Sequence, residues 1–381
     1  MRTLVELLTV SFLLSLAAQA QEKPTPLPSR LEALVDAQFK ATSCPGLSVA
    51  VATQNQIIFS KALGMADLEQ DVPLRTDSIH RLGSISKLIT GTIIMDLVEQ
   101  GKLKLDGPVR QYLPELPSSY QKVTLRHLLS HQAGVPGYRD KADIENFAFS
   151  SVHYATSREV LKTFMDKPLL FEPGAKIEYS SLGFTILGAA AESVTSHPFQ
   201  QVASDFFVRH GISGFVLDDP LAIVPKRVRG YLVDPNSKIA LADGHSMARD
   251  YLAGTAGEIT NARAYDISNR YPAGGFDSSS EDLLHFVIAV GTEKVLRRET
   301  VADMWTSQNT ADGTKSVFGL GWGVSRSTAN KMVGMNGEEP TSTTFLRYFP
   351  DSGVGIVVLC NSEAPRELPE LLNDILRTTL Q

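Results

Sequence analysis

The amino-acid pattern predicts an α/β sandwich whose sheet is assembled from both ends of the chain, with a long helical region inserted between them. Three observations carry this. Strand-like runs lie at 45–52 and 57–60 and return around 319–325, 342–348 and 354–360. Between those two groups the apolar spacing is that of helices, and an amphipathic helix over 367–380 closes the chain. With 381 residues, 43% of them hydrophobic, the chain can bury one large core or two intertwined ones.

Taken in order, residues 1–20 read as a secretory signal. Arg2 gives the positive start, 7–16 is mostly apolar despite Glu6, and Ala18-Gln19-Ala20 is a small-x-small cleavage site. A leader over 21–29, with prolines at 24, 26 and 28, is expected to be extended, and the mature domain spans 30–381. A short amphipathic helix follows at 31–39. The first two strands form a hairpin around Thr53-Gln54-Asn55-Gln56, and 64–74 is an irregular approach to the next helix. In that helix, apolar residues at 85, 88, 89, 93, 94, 97 and 98 share a face, and Gly101 stops it. Residues 106–117 are Pro-rich and loop-like. Thr124 caps a short helix that ends before Gln132-Ala133-Gly134. Further helices are expected at 157–166, at about 182–194, and at 280–290, where Ser278 or Ser279 caps with Glu281 or Asp282. Residues 205–272 show no regular period. The helical insertion thus runs from about 84 to 280.

Several function classes drop out on composition. A net charge of -6 with acids and bases interspersed leaves no footprint for nucleic acid. Beyond the N-terminus there is no apolar run of membrane-spanning length, so no integral membrane segment is expected after signal removal. Two cysteines, Cys44 and Cys360, exclude a Cys-rich zinc site and a disulfide scaffold. The eight histidines lack metal-ligand spacing, so no metal and no cofactor is assigned. The expected partner is a small-molecule or peptide substrate.

Chemistry enters at Arg81-Leu82-Gly83-Ser84-Ile85-Ser86-Lys87. Ser84 falls in the first turn of a helix, and Lys87 projects from the same face three residues on. The positive end of the helix dipole stabilises an alkoxide, and desolvation can lower a lysine until it acts as a base.

Segments in register with this one resemble the β-lactamase-related serine hydrolases of the class C type. They are Pro45-Gly46-Leu47-Ser48-Val49-Ala50-Val51, Leu128-Leu129-Ser130-His131-Gln132-Ala133-Gly134, and Phe171-Glu172-Pro173-Gly174 running to Tyr179-Ser180-Ser181-Leu182-Gly183. Ala273-Gly274-Gly275 with Ser280-Glu281-Asp282-Leu283, and Phe318-Gly319-Leu320-Gly321-Trp322-Gly323, complete the set. That family includes penicillin-binding proteins, D-alanyl-D-alanine carboxypeptidases, secreted esterases and LACTB-like proteins. The resemblance implies a β-lactamase-like fold, an antiparallel sheet of five or more strands flanked by helices. It implies an acyl-enzyme on Ser84, with Lys87 as proton partner and Tyr179 as the phenol of a Tyr-x-Asn motif. A phenol titrating near ~10 would need the cation of Lys87 to draw it down. In such a fold the first strand lies antiparallel to the last, which brings Cys44 and Cys360 within reach of a disulfide.

Two departures from the family pattern shape the expected substrate. Ser181 stands where the motif has Asn, offering a hydroxyl in place of an amide. The strand motif that carries a lysine or histidine in the family falls on Met335-Asn336-Gly337. Gly337 still permits close approach, and the backbone N–H of Glu338 could complete an oxyanion hole with that of Ser84. Lys331 lies out of register and reads as an exposed turn residue, and Trp322 as a packed strand residue. Glu338 and Glu339 are expected to make the rim acidic, disfavouring the carboxylate of β-lactams and D-Ala-D-Ala peptides. The expectation is therefore a periplasmic or secreted serine hydrolase cleaving an ester or amide. Two alternatives stay open: a class C-type β-lactamase or D-alanyl-D-alanine carboxypeptidase, and an impaired family member acting as a binding or scaffold protein.

Overall fold

The computed structural model describes residues 25–42, 44–137, 150–233, 259–262, 264–326, 331–363 and 367–380. The signal segment 1–20 and the start of the leader lie outside the described residues.

Its strands, in chain order, are β1 (Gly46–Thr53), β2 (Gln56–Asp67), β3 (Val72–Pro73), β4 (His80–Arg81), β5 (Phe215–Leu217) and β6 (Tyr231–Val233). They continue with β7 (Ile259–Asn261), β8 (Phe276–Ser278), β9 (Gly323–Arg326), β10 (Lys331–Glu339), β11 (Ser342–Phe349) and β12 (Val354–Cys360). Seven of these form one antiparallel sheet in the order β3-β2-β1-β12-β11-β10-β9, so both chain ends do build it. The first strand meets the last at its centre, with Leu47 opposite Cys360. A small sheet β6-β7 lies within the inserted region, and another, β4-β8-β5, joins that region to the strand just before it.

Both faces of the large sheet are covered, which explains why β1 and β12 read as nearly continuous apolar runs. Alternate residues divide between two cores. Ala50, Ala52, Val357 and Leu359 join the helical region, while Leu47, Val49, Val51, Ile356 and Val358 pack beneath the helices Leu27–Phe39 and Leu368–Leu380. Cys44 and Cys360 are bridged on that second side, their Cα atoms 6.0 Å apart.

Several elements differ from expectation. The first helix begins at Leu27, because Pro26 stands at its N-cap and Pro28 in its first turn, where a missing N–H costs nothing. The end of the predicted leader is therefore helical. The approach segment at 64–67 is a continuation of β2. A helix over Phe199–His210 occupies part of the stretch read as irregular. Lys331 opens β10 opposite Arg326 instead of sitting in a turn. Ser279 is the serine that caps the helix Ser280–Gly291, accepting from the N–H of Asp282. Among the described residues, no helix is long and apolar enough to cross a membrane.

The helix Ser86–Glu99 is buried nearly all round, not on one face. Its polar side chains find partners there. Ser86 accepts from the Phe276 N–H at 2.9 Å, Thr90 donates to the Pro272 carbonyl at 2.7 Å, and Asp96 meets Arg209 and His210. This central helix fixes the turn that carries Ser84.

Candidate active site

Ser84 lies in the tight turn Gly83–Ile85 that leads into the buried helix. Gly83 has φ +54°, and a Cβ there would stand 2.7 Å from the Glu338 nitrogen. The turn therefore packs directly on β10. Strand β9 pairs with β10 only over Lys331–Gly334, which leaves the edge from Met335 onward facing the nucleophile turn.

Two donors converge on the Ser84 hydroxyl. Tyr179 Oη donates at 2.8 Å and Lys87 Nζ at 3.2 Å. Lys87 also donates to the Ala273 carbonyl at 2.9 Å, and its Nζ lies 4.8 Å from the centre of the Tyr179 ring. Ser84 is half-buried while Lys87 is 1% exposed. Burial pushes the Lys87 amine down to about 7; Glu339 opposes that shift and Arg270 reinforces it.

The strand beside this group presents its residues alternately to opposite faces. Gly337 faces the nucleophile turn, since a Cβ on it would stand 2.0 Å from the Leu82 carbonyl oxygen. Met335 packs toward the main core. Asn336, expected among the substrate-binding residues, is exposed on the other face, where it accepts from Arg347 Nη2 at 2.7 Å. Its amide points away from Ser84, and only its strand neighbours face the site. Glu338 keeps its backbone nitrogen against the turn, but its carboxyl lies on the same side as Asn336. Burial raises that carboxyl, and Glu363 close by is pushed up to about 8 by burial and then by Glu338.

The expected acidic rim is not formed by these two residues: Glu338 turns its carboxyl to the far face, and Glu339, on the site side, is 6% exposed and paired with Arg270 at 2.9 Å. Ser181 is the first residue of the helix Ser181–Thr195, and the cap is its neighbour Ser180. The Ser181 hydroxyl makes no hydrogen bond among the described residues and does not take the place of an asparagine between Ser84 and Lys87. Trp322 is fully buried, its ring 5.3 Å from that of Trp305.

Ala273, Arg270 and His131 were not singled out by residue type or spacing. The Ala273 carbonyl and Arg270, paired with Glu339, lie around the lysine, and His131 packs on the tyrosine with ring centres 4.5 Å apart. Ala273 and His131 both lie in segments that resemble the family, which was the available signal. Among the described residues no group of side chains could hold a metal ion. Chemically, the arrangement offers a nucleophile with a base and an acid both in contact with it.

Comparison with known proteins gives a concordant picture. The beta-lactamase family profile matches residues 31–380. Esterase EstB of Burkholderia gladioli is 29% identical over 78% of each chain. The mitochondrial serine beta-lactamase-like protein LACTB of Homo sapiens is 23% identical over 84% of this chain and 74% of its own. Among solved structures, D-amino acid amidase from Ochrobactrum anthropi SV3 superposes with a TM-score of 0.78 at 19% identity, over 93% of this chain and 99% of that one.

Proposed function

The chain belongs to the beta-lactamase family and is a serine hydrolase of that family, and on this footing we propose that it cleaves an ester or amide through an acyl-enzyme on Ser84. The observation that carries the proposal is the convergence of Lys87 Nζ and Tyr179 Oη on one hydroxyl, at 3.2 and 2.8 Å.

Neutral Lys87 accepts the Ser84 proton as Oγ attacks the substrate carbonyl carbon. The oxygen that becomes negative is met by the backbone N–H groups of Ser84 and Glu338. Tyr179 gives its proton to the leaving alcohol or amine and is reprotonated through Lys87. Water then attacks the acyl carbon, its proton passing back through the same pair to Ser84 Oγ. Each group returns to its starting state.

The substrate is an ester or amide without an essential carboxylate, a reading supported by Met335 standing where the family carries a cation. Exposure to a fluorophosphonate followed by intact mass measurement should add one adduct, lost in Ser84→Ala. Turnover of a short-chain aryl ester should exceed that of a chromogenic cephalosporin. Comparable or faster cephalosporin turnover would favour the β-lactamase or carboxypeptidase alternative, and no fluorophosphonate adduct with no turnover of either substrate would favour the scaffold one.

We further propose that the protein is exported to the periplasm or beyond the cell, a reading supported by the N-terminal signal pattern and by the Cys44–Cys360 bridge, which suits an oxidising compartment.

A further inference from the structure

Residues 177–180, which carry Tyr179, belong to no helix or strand, so no regular ladder sets the phenol against Ser84. His131 supplies a hold from three directions. Its backbone carbonyl accepts the N–H of Glu178, the residue before the tyrosine, at 2.8 Å. Nδ1 of its ring accepts the N–H of Ser180, the residue after it, at 3.1 Å. The imidazole lies against the phenol ring, with centroids 4.5 Å apart, and is backed by Phe184 and Phe318.

The backbone at this point is unusual. His131 is 3% exposed and has φ +60° just past the helix Leu125–Leu129, a position that glycine or asparagine fills with less strain. A ring retained in such a conformation points to a use for the ring. Because Nδ1 accepts, the ring proton sits on Nε2, which is buried and has no hydrogen-bond partner among the described residues. Protonating Nδ1 would break the bond to Ser180 and set a positive charge near the Lys87 amine. Burial and Lys87 both hold the imidazole well below its ordinary range.

We infer that His131 is the positioning residue for Tyr179, a neutral imidazole that fixes the phenol within hydrogen-bonding distance of Ser84. This rests on the acyl-enzyme reading above, but it concerns a residue that touches no reacting atom.

The test uses the full chain and steady-state hydrolysis of an aryl ester. His131→Gly suits the left-handed backbone and keeps the carbonyl that binds Glu178, while removing the ring and its acceptor. It should lower kcat by about 10²-fold with KM changed by less than about threefold. His131→Asn places an amide oxygen where Nδ1 stood and should recover kcat to within about tenfold of the wild type. In a Tyr179→Phe background His131→Gly should cost less than about threefold more, because its effect runs through the phenol. A His131→Gly variant that keeps its kcat, or one that costs as much without the phenol as with it, overturns the inference. Should His131→Gly fail to fold, His131→Leu against His131→Asn gives the same decision, and equal kcat in those two overturns it. Wild-type protein that neither turns over ester nor takes an adduct overturns the acyl-enzyme reading and this inference together, and the two failures are thereby distinguished.

Discussion

Among the described residues the amine of Lys87 meets only neutral hydrogen-bond acceptors, the Ser84 hydroxyl and the Ala273 carbonyl. Without a touching carboxylate the cost of burying charge prevails, and the group falls to about 7, where a useful fraction is free base at neutral pH. Glu339 and Arg270 act on it from slightly further away with opposite signs, so their mutual pair leaves burial in control. Activity should rise with pH along a limb set by Lys87, since in the proposed mechanism only the neutral amine accepts the Ser84 proton. Glu339→Gln removes the charge that favours the cation and leaves Arg270 to act alone. The limb in a kcat/KM profile should then move to lower pH by roughly one unit. A limb that stands still or moves up would disconnect Lys87 from the base role. The same variant takes the carboxylate out of a buried ion pair with Arg270 and should lower stability, read by urea unfolding.

At the scale of elements, the site depends on one sheet edge packed against one turn. The side chain of Thr344 on β11 donates to the Leu82 carbonyl at 2.9 Å, so the turn is tied to the sheet from behind as well. Gly337 is the contact point. A methyl group there would meet both the Leu82 carbonyl oxygen and, at 2.3 Å, the Thr344 hydroxyl. Both residues are fully buried, and the first of these atoms is backbone. Gly337→Ala should therefore push β10 off the turn and withdraw the Glu338 N–H from the proposed oxyanion hole. A drop in kcat of about 10²–10³-fold is expected in the aryl ester assay, with helix content by circular dichroism retained. A fully active Gly337→Ala protein would mean that the strand does not line the reacting group.

Across the whole molecule, two cores lie on opposite faces of one sheet, and ionisable groups are caught between them. His80 is 1% exposed, contacts the Ser48 hydroxyl at 3.0 Å through Nε2, and is pushed down to about 3 by burial. In the unfolded chain it titrates near ~6.5. Between those two values the unfolded state binds a proton that the folded state does not, so stability falls as pH drops below about 6.5. At pH 5 the loss from this one histidine is about 2 kcal/mol. His80→Gln should shrink the difference between urea unfolding free energies at pH 7 and pH 5 by that amount. An unchanged difference would show that the imidazole is protonated in the folded protein.

The sequence by itself determined the pieces whose cause is local. Gly83-Ser84-Ile85-Ser86-Lys87 places a hydroxyl and an amine on adjacent turns because i and i+3 are neighbours on any helix. The β1–β2 hairpin, the Thr124 cap and the helix Leu368–Leu380 likewise follow from periods and caps read over a few residues. The sheet built from both chain ends was legible too, because strand-like and helix-like periods fall in separate blocks. Strand β10 was not legible from its own pattern. Gly334, Asn336, Gly337, Glu338 and Glu339 interrupt any alternation, and the segment is extended because β11 pairs with it from Val333 to Glu339. That register also turned Asn336 outward and Glu339 inward onto Arg270, which no local pattern encodes. The meeting of Tyr179 with a serine 95 residues earlier, held by a histidine between them, is a product of how the helices stack on the sheet. A local pattern fixes which way a segment bends and which residues share a face. Only the packing of every segment against the others fixes which faces meet.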